Sequence, residues 1–163
     1  MAPDSEGRVA LRRALFSVSD RTGIQELASA LARHSIELVA TSGTRAALTD
    51  PQLRVRSAEE LTGVGAWFGG RIKTLHPGLL GGILAPRSDD GVAELERRSL
   101  VPIDLVVVNF YPFEAGVREQ PDRPDKEELV DVGGVTLARA AAKNHPWVAV
   151  LTDPSDYAGV VAE

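Results

Sequence analysis

Short apolar runs alternate with amphipathic segments along the first fifty residues. The runs "RALFSVS" (13–19) and "IELVAT" (36–41) have the length of buried strands, and each ends in small polar residues. Apolar residues recur between them at helical spacing, namely Ile24, Leu27, Ala28 and Leu31. A short helical stretch is predicted at 45–50, after the second strand. A strand–turn–helix order that occurs twice favours a parallel sheet flanked by helices.

The rest of the chain continues this order of elements. Further strands are predicted at 53–57, within 102–113 and at 147–152, and the second of these is so apolar that we place it at the sheet centre. Further helices are predicted at 57–61, 88–100 and 133–144, with a last one opened by Pro154. Residues 114–126 are polar and contain prolines, which indicates an exposed connection or arm. We predict an α/β fold of three layers, with a mostly parallel sheet between helices.

Composition excludes several classes of protein. The 163 residues suit one domain, and the absence of cysteine excludes a disulfide framework and thiolate chemistry. A net charge of −5 argues against binding to nucleic acid, which favours a basic face. The chain starts without the apolar core of a signal peptide, and no apolar run has the length of a membrane span. We expect a cytoplasmic protein that binds neither nucleic acid nor membrane.

Polar side chains collect where the predicted strands end. In an open α/β sheet, ligands bind at the carboxyl ends of the strands. The residues at those ends are Ser17, Ser19, Asp20, Arg21, Thr41, Ser42, Gly43, Thr44, Asn109, Tyr111, Asp131, Gly133 and Gly134. Hydroxyls and glycines that enter a helix suit a phosphate, because the first amides are unpaired. The same residues are also ordinary helix caps, so phosphate binding and capping both remain open.

Two lysines are candidates for chemistry, and each has a structural alternative. Lys73 lies in "GGRIKTLHP", a run too polar for a core strand and too irregular for a helix. Lys143 lies late in an alanine-rich helix, where a cation also suits the helix dipole, and Asp131 could cap the same helix. His76 and His145 show no metal-ligand spacing, and we interpret both as structural or exposed. These patterns indicate an α/β domain that binds a small phosphorylated anion.

Seven motifs in order give the chain a family resemblance. They are "SVSDRTG", "TSGT", "GGRIKTLHP", "GGILA", "DLVVVNFYPF", "DVGG" and "RAAAKNH". Together they resemble the IMP cyclohydrolase domain, the N-terminal half of a bifunctional purine-biosynthesis protein, over about residues 13–160. The resemblance implies a methylglyoxal-synthase-like fold and closure of 5-formamidoimidazole-4-carboxamide ribotide to inosine monophosphate (IMP). It implies no metal or organic cofactor.

The resemblance also implies a role for each matching residue. Lys73 matches an oxyanion-stabilising lysine, and Lys143 matches the general acid–base group. Asp131 and Tyr111 match residues that orient the carboxamide and assist proton transfer. The matching substrate contacts are Ser19, Asp20, Arg21, Thr41, Ser42, Gly43, Thr44, Arg71, Thr74, Asn109, Gly133 and Asn144. The turn at 41–44 is expected to hold the 5′-phosphate.

Three positions depart from the family pattern. Arg21 stands where the family has lysine, which keeps the charge, and Leu80 stands where it has histidine. Ser42 replaces a glycine, which alters the phosphate turn if that position needs a positive φ. Because the family histidine is not counted among the catalytic residues, we expect activity to be retained despite the change at Leu80.

The resemblance carries expectations about organisation and leaves rival functions open. We expect a flexible leader at 1–12, a single cyclohydrolase-like domain at 13–163, no folate-dependent transformylase domain, and a homodimer. Methylglyoxal synthase shares the fold, but it would not explain "RIKTLHP" or "RAAAKNH". A nucleotide-sensing module, or a domain that binds substrate without turnover, would keep the phosphate turn. Binding of IMP without turnover would distinguish these last two from an enzyme.

Overall fold

The sheet consists of five parallel strands in the order β3-β2-β1-β4-β5. We describe a computed structural model of the chain, which covers residues 9–162. The strands are β1 (Arg13–Ser17), β2 (Glu37–Ala40), β3 (Val55–Ser57), β4 (Leu105–Val108) and β5 (Ala149–Leu151). In register, Phe16 of β1 lies between Ala40 of β2 and Val107 of β4. The predicted α/β class with a parallel sheet is confirmed.

Helices connect the strands and cover the sheet. Within the described residues they are α1 (Ile24–Arg33), α2 (Ser42–Arg45), α3 (Ala58–Thr62), α4 (Pro77–Leu84), α5 (Asp89–Arg97), α6 (Phe113–Glu119), α7 (Gly133–Lys143) and α8 (Tyr157–Ala162). Short 3₁₀ turns lie at Phe68–Gly70, Lys126–Leu129 and Pro154–Asp156. None of the helices found between residues 9 and 162 has the length and apolar character needed to cross a membrane.

Alternate residues of each strand face two separate cores. Ala14 and Phe16 of β1 pack in a cluster with α1 and α8, whereas Leu15 packs in a second cluster with α4 and α7. β4 divides in the same way, and all four of its residues are buried. A parallel sheet needs cover on both faces, and its strands therefore read as continuous apolar runs. The predicted three-layer arrangement follows from this division.

Several predicted elements differ from those observed. β1 lies at the sheet centre rather than β4, because β4 pairs with β5 on its outer side. The short helix after β2 begins at Ser42 instead of residue 45, and the predicted arm at 114–126 begins inside α6, which is exposed. α4 was not predicted. Of the expected leader, residues 9–12 lack regular structure, while 1–8 lie outside the described residues, as does Glu163.

A buried ion pair lies at the end of the sheet opposite to the carboxyl ends of the strands. The Arg87 guanidinium donates to Asp104 Oδ1 at 3.3 Å and to the Ile103 carbonyl at 2.9 Å, and both charged side chains are almost fully buried. Asp104 Oδ2 also accepts from the Arg12 amide at 3.0 Å. Burial lowers the pKa of Arg87, and the nearby Asp104 charge opposes that effect. The pair ties the chain before β1 and the loop after α4 to the start of β4.

We predict that Asp104→Ala lowers the free energy of unfolding by about 3–5 kcal/mol, because it leaves the buried Arg87 charge without its partner. Chemical denaturation measures the change. Glu94→Ala is the matched control, since it breaks the exposed Glu94–Arg98 pair of α5 and should cost no more than about 1 kcal/mol. Equal effects of the two substitutions would contradict the prediction.

Candidate functional site

A cavity of about 510 Å³ opens at the carboxyl ends of β1 and β4. This volume is in the range of small-molecule sites. The lining residues are Ser17, Val18, Ser19, Gly69, Gly70, Arg71, Lys73, Thr74, Asn109, Tyr111, Glu127, Glu128, Val130, Asp131, Val132, Gly133 and Gly134. Eight of the sixteen predicted site residues are therefore brought together: Ser19, Arg71, Lys73, Thr74, Asn109, Tyr111, Asp131 and Gly133.

Asn109 fastens the loop after β1 to the end of β4. Its Oδ1 accepts from the amides of Ser19 at 2.7 Å and Asp20 at 2.8 Å, and its Nδ2 donates to the Asp20 carbonyl at 2.8 Å. These bonds occupy both ends of the Asn109 amide. Asn109 therefore shapes the cavity wall by positioning this loop, in addition to lining the cavity.

The loop at 67–74 carries two cations to the cavity. Three successive residues, Phe68, Gly69 and Gly70, have positive φ, and the Trp67 amide donates to the Ile72 carbonyl at 2.9 Å. This turn directs Arg71 and Lys73 toward the lining. A bulky residue such as Phe68 rarely adopts positive φ, so this turn is an uncommon backbone conformation.

Arg71 is paired with a carboxylate that the sequence did not single out. Its Nε donates to Glu128 Oε1 at 3.0 Å, and its terminal nitrogen contacts the same oxygen. The hydrogen bond from Arg71 lowers the pKa of Glu128, and the same bond raises the pKa of Arg71. The pair joins the 67–74 loop to the 3₁₀ turn at Lys126–Leu129.

Hydrogen-bond donors converge where α7 begins. Thr74 is 1% exposed, and its Oγ1 has no hydrogen-bond partner among the described residues. A Cβ on Gly133 would lie 2.4 Å from that oxygen, so only glycine allows this approach. Asp131 Oδ1 accepts from the Gly134 amide at 2.6 Å, which confirms the interpretation of Asp131 as a helix cap. The α7 amides, Thr74 and the nearby Lys73 together form a polar corner suited to a carbonyl or anionic oxygen.

The turn at 41–44 lies beside the cavity rather than in its lining. Thr44 Oγ1 accepts from the Val18 amide at 3.1 Å, which attaches the turn to a cavity-lining residue. Ser42 donates to Glu59 Oε1 at 2.6 Å and does not have a positive φ, so its replacement of glycine causes no backbone strain. The Arg21 guanidinium lies 3.8 Å from the position a Cβ would take on Gly43. Arg21 therefore adds positive charge beside this turn.

Lys143 and Asn144 lie outside the cavity lining. Lys143 is exposed at the C-terminal end of α7, about 15 Å along the helix axis from Gly133 at a rise of 1.5 Å per residue. Asn144 Nδ2 donates to the carbonyls of Ile83 at 2.6 Å and Ala85 at 3.2 Å, so it fastens the end of α4. The structure thus separates these two predicted site residues from the eight in the cavity.

The histidines and acids form no metal site in the part of the chain that the structure describes. His76 Nδ1 accepts from the Gly78 amide at 3.0 Å and caps α4, which confirms its structural interpretation, and His145 is exposed. Residues 9–162 contain no cluster of three or more histidine or acidic side chains that could hold a metal ion.

Comparison with known proteins assigns the family. The sequence profile of the MGS-like domain matches residues 23–138. This chain belongs to the MGS-like domain family. The methylglyoxal-synthase-like class expected from the motifs is therefore confirmed.

Two curated relatives of this MGS-like domain carry the same name. The bifunctional purine biosynthesis protein PurH of Ruegeria pomeroyi is 49% identical over 154 residues, which are 94% of this chain and 29% of that protein. PurH of Rhizobium meliloti is 46% identical over 163 residues, which are 99% of this chain and 30% of that protein. The chain thus spans about 30% of the length of these curated relatives.

One solved structure is similar to this chain in both fold and sequence. The crystal structure of ForH superimposes with a TM-score of 0.81 at 38% sequence identity, and the match covers 94% of this chain and 79% of that one. The resemblance to the purine-biosynthesis family that the motifs carried is confirmed by these relatives.

Several lining residues of the MGS-like domain were missed in the sequence. Glu127, Glu128, Val130 and Val132 line the cavity, but they follow a polar segment that reads as a surface arm. One signal in the sequence is their position, since Glu127, Glu128 and Val130 lie just before "DVGG" and Val132 is part of that motif. A second signal is charge, since the cations of the 67–74 loop are expected to pair with a carboxylate in an acidic protein. Glu128 is the partner of Arg71.

We predict that Thr74→Val keeps or raises the free energy of unfolding but weakens binding of IMP by about tenfold. The substitution removes a buried hydroxyl that has no partner in the described protein, while a ligand oxygen would lose one hydrogen bond. Denaturation and calorimetric titration measure the two effects. Thr74→Ser, which keeps the hydroxyl, is the control. Unchanged IMP affinity in Thr74→Val would contradict the prediction that the Thr74 hydroxyl bonds a ligand oxygen.

Proposed function

We propose that this domain is an IMP cyclohydrolase, which closes 5-formamidoimidazole-4-carboxamide ribotide to IMP. The observation that carries the proposal is the placement of Lys73, Thr74, Tyr111 and Asp131 around one cavity. It is supported by relatives nearly half identical in sequence whose name is that of a bifunctional purine biosynthesis protein. An enzyme of this kind acts on a phosphorylated purine precursor, as the polar edge of the sheet suggested.

The reaction joins two weakly reactive groups of one substrate. The carboxamide nitrogen attacks the carbon of the neighbouring formamide, and a C–N bond forms as the formyl oxygen gains negative charge. That oxygen takes up two protons and leaves as water, while the carboxamide nitrogen loses one of its two protons and the formamide nitrogen loses its single proton. Holding both groups in the geometry for ring closure removes much of the entropic barrier. The protein must also stabilise the oxyanion and transfer protons.

Lys73 is the proposed electrostatic partner of the formyl oxygen. Lys73 lines the cavity and is next in sequence to Thr74, whose hydroxyl is buried. A positive charge and preorganised donors near the developing oxyanion act most strongly when the bound substrate displaces water. Thr74 and the first amides of α7 supply further donors in the same corner of the cavity.

Asp131 and Tyr111 are the proposed orienting groups for the carboxamide. Asp131 Oδ1 is engaged by the Gly134 amide, which leaves Oδ2 free to accept a proton or hydrogen bond from the carboxamide nitrogen. Tyr111 is about half exposed at the cavity and offers its hydroxyl as a donor to substrate. The helix cap thus fixes the carboxylate that faces the substrate.

The phosphate is proposed to bind at the turn of residues 41–44, beside Arg21. The turn follows β2 at the same edge of the sheet as the cavity, and Thr44 attaches it to the cavity wall at Val18. The guanidinium of Arg21 supplies the charge that would pair with a phosphate. The base of the nucleotide would then lie toward Lys73 and Asp131.

A direct cyclisation assay tests the function. The purified chain is mixed with the formamido ribotide without metal or folate, and IMP formation is followed by absorbance and chromatography. Turnover well above the spontaneous rate is expected. Binding of IMP without turnover would indicate a nucleotide-sensing domain. The absence of both IMP binding and turnover would refute the proposal.

We predict that Lys73→Ala lowers turnover by about 10²–10³-fold, the scale for losing one oxyanion-stabilising group. Steady-state kinetics with the ribotide measures the loss. Lys126→Ala is the control, because that lysine is exposed and is not among the lining residues. A change confined to KM would make Lys73 a binding residue instead.

Lys143 is retained in the proposal as the general acid–base group on the strength of the family resemblance alone. That role requires Lys143→Ala to abolish turnover while IMP affinity is largely kept. Because Lys143 lies outside the cavity lining, near-normal turnover in this variant would remove it from the mechanism. Proton transfer would then rest on Asp131 and Tyr111.

A further inference from the structure

The wall of the cavity that carries Lys73 has few fixed contacts of its own. The 67–74 loop is exposed over most of its length up to Thr74, and the backbone hydrogen bonds that close it internally lie within residues 67–72, before Lys73. Its turn contains two glycines with positive φ, which add conformational freedom to the unfolded loop. The position of Lys73 therefore depends on contacts made to other segments.

Arg71 makes such a contact two residues before Lys73. It bonds through Nε and a terminal nitrogen to one oxygen of Glu128, which lies 57 positions away in sequence and lines the same cavity. Hydrogen bonds from two nitrogens restrict the orientation of a guanidinium more than one hydrogen bond does. The bond thus joins two cavity walls, the 67–74 loop and the turn that precedes Asp131.

We propose that Glu128 is a positioning residue, which holds the 67–74 loop through Arg71 and so sets the place of Lys73 in the cavity. The proposal rests on the cyclohydrolase function proposed above. Glu128 need not touch substrate for this role. Both side chains are largely exposed, so the pair contributes little to global stability and weakens in salt.

Substitution of Glu128 should change kcat in a way that distinguishes positioning of the 67–74 loop from a direct effect of the Glu128 charge. Glu128→Gln keeps the shape of the side chain but removes the charge-assisted bond to Arg71. It is expected to lower kcat about fivefold, the upper scale for an exposed ion pair, with little change in melting temperature. In an Arg71→Gln background the same substitution should lower kcat no further, because interacting residues are not additive.

Two matched variants provide controls. Glu127→Gln removes the same charge from the same wall, but Glu127 has no hydrogen bond to Arg71 among the described residues. Any electrostatic effect on KM should therefore appear in both the 127 and 128 variants. Glu94→Gln breaks a similarly exposed arginine pair on α5, away from the cavity, and should leave kcat unchanged.

Amide hydrogen exchange supplies a readout that does not require activity. Peptides that cover 67–74 should exchange faster in Glu128→Gln than in the wild-type protein or in Glu127→Gln, while peptides of the sheet remain unchanged. The proposal is overturned if Glu128→Gln matches Glu127→Gln in both kcat and loop exchange. It is also overturned if kcat falls equally in the presence and absence of Arg71.

Failure of the proposed function can be distinguished from failure of this inference. If the wild-type chain does not cyclise the ribotide, the cyclohydrolase proposal fails, and the exchange comparison decides alone whether Glu128 holds the loop. Faster exchange of 67–74 in Glu128→Gln would then support the positioning contact, and unchanged exchange would overturn it.

Discussion

The parallel pairing of β1 with β2 and β4 is the constraint on which the site depends. Because all five strands run in the same direction, their carboxyl ends meet at one edge, and the loops that follow them are brought together there. Helices must cross back over both faces, and they bury the apolar side chains of β1 and β4 in two cores.

The cavity is built from four segments that are distant in sequence. Asn109, after β4, fastens the loop after β1, the 67–74 loop supplies the cations, and the turn before α7 supplies the Asp131 carboxylate, which accepts from the Gly134 amide. Each segment is fixed by a hydrogen bond from one of its neighbours. The resulting arrangement places donors and a carboxylate around one space, as the proposed ring closure with loss of water requires.

Charge is distributed locally within an acidic protein. The cation Arg71 is paired with Glu128, whereas Lys73 has no carboxylate bonded to it among the described residues. The opposite end of the sheet carries the buried Arg87–Asp104 pair, which is structural. Arg71 and Arg87 thus hold the chain in place through ion pairs, whereas the proposed function uses Lys73 and Arg21 for the substrate.

The amino-acid sequence by itself determined the fold class and half of the candidate site. The apolar runs at β1, β2 and β4 and the helical spacing in α1 and α7 are local properties, so their periodicity was sufficient to predict them. Lys73, Thr74 and Asp131 were recognised from motifs. The cap formed by Asp131 follows from its position before a helix, which is also local.

Only the tertiary structure decided strand order, the second role of Asn109, the Arg71–Glu128 contact and the distance of Lys143 from the cavity. The apolar character of a strand does not determine which strands pair with it. For this reason the sequence predicted β4 at the sheet centre, whereas the structure has β1 there. The predicted helix already separates Lys143 from Asp131, but only the contacts between segments place the cavity at the Asp131 end of that helix. These features depend on contacts between segments that are distant in the chain, and local sequence does not encode such distances.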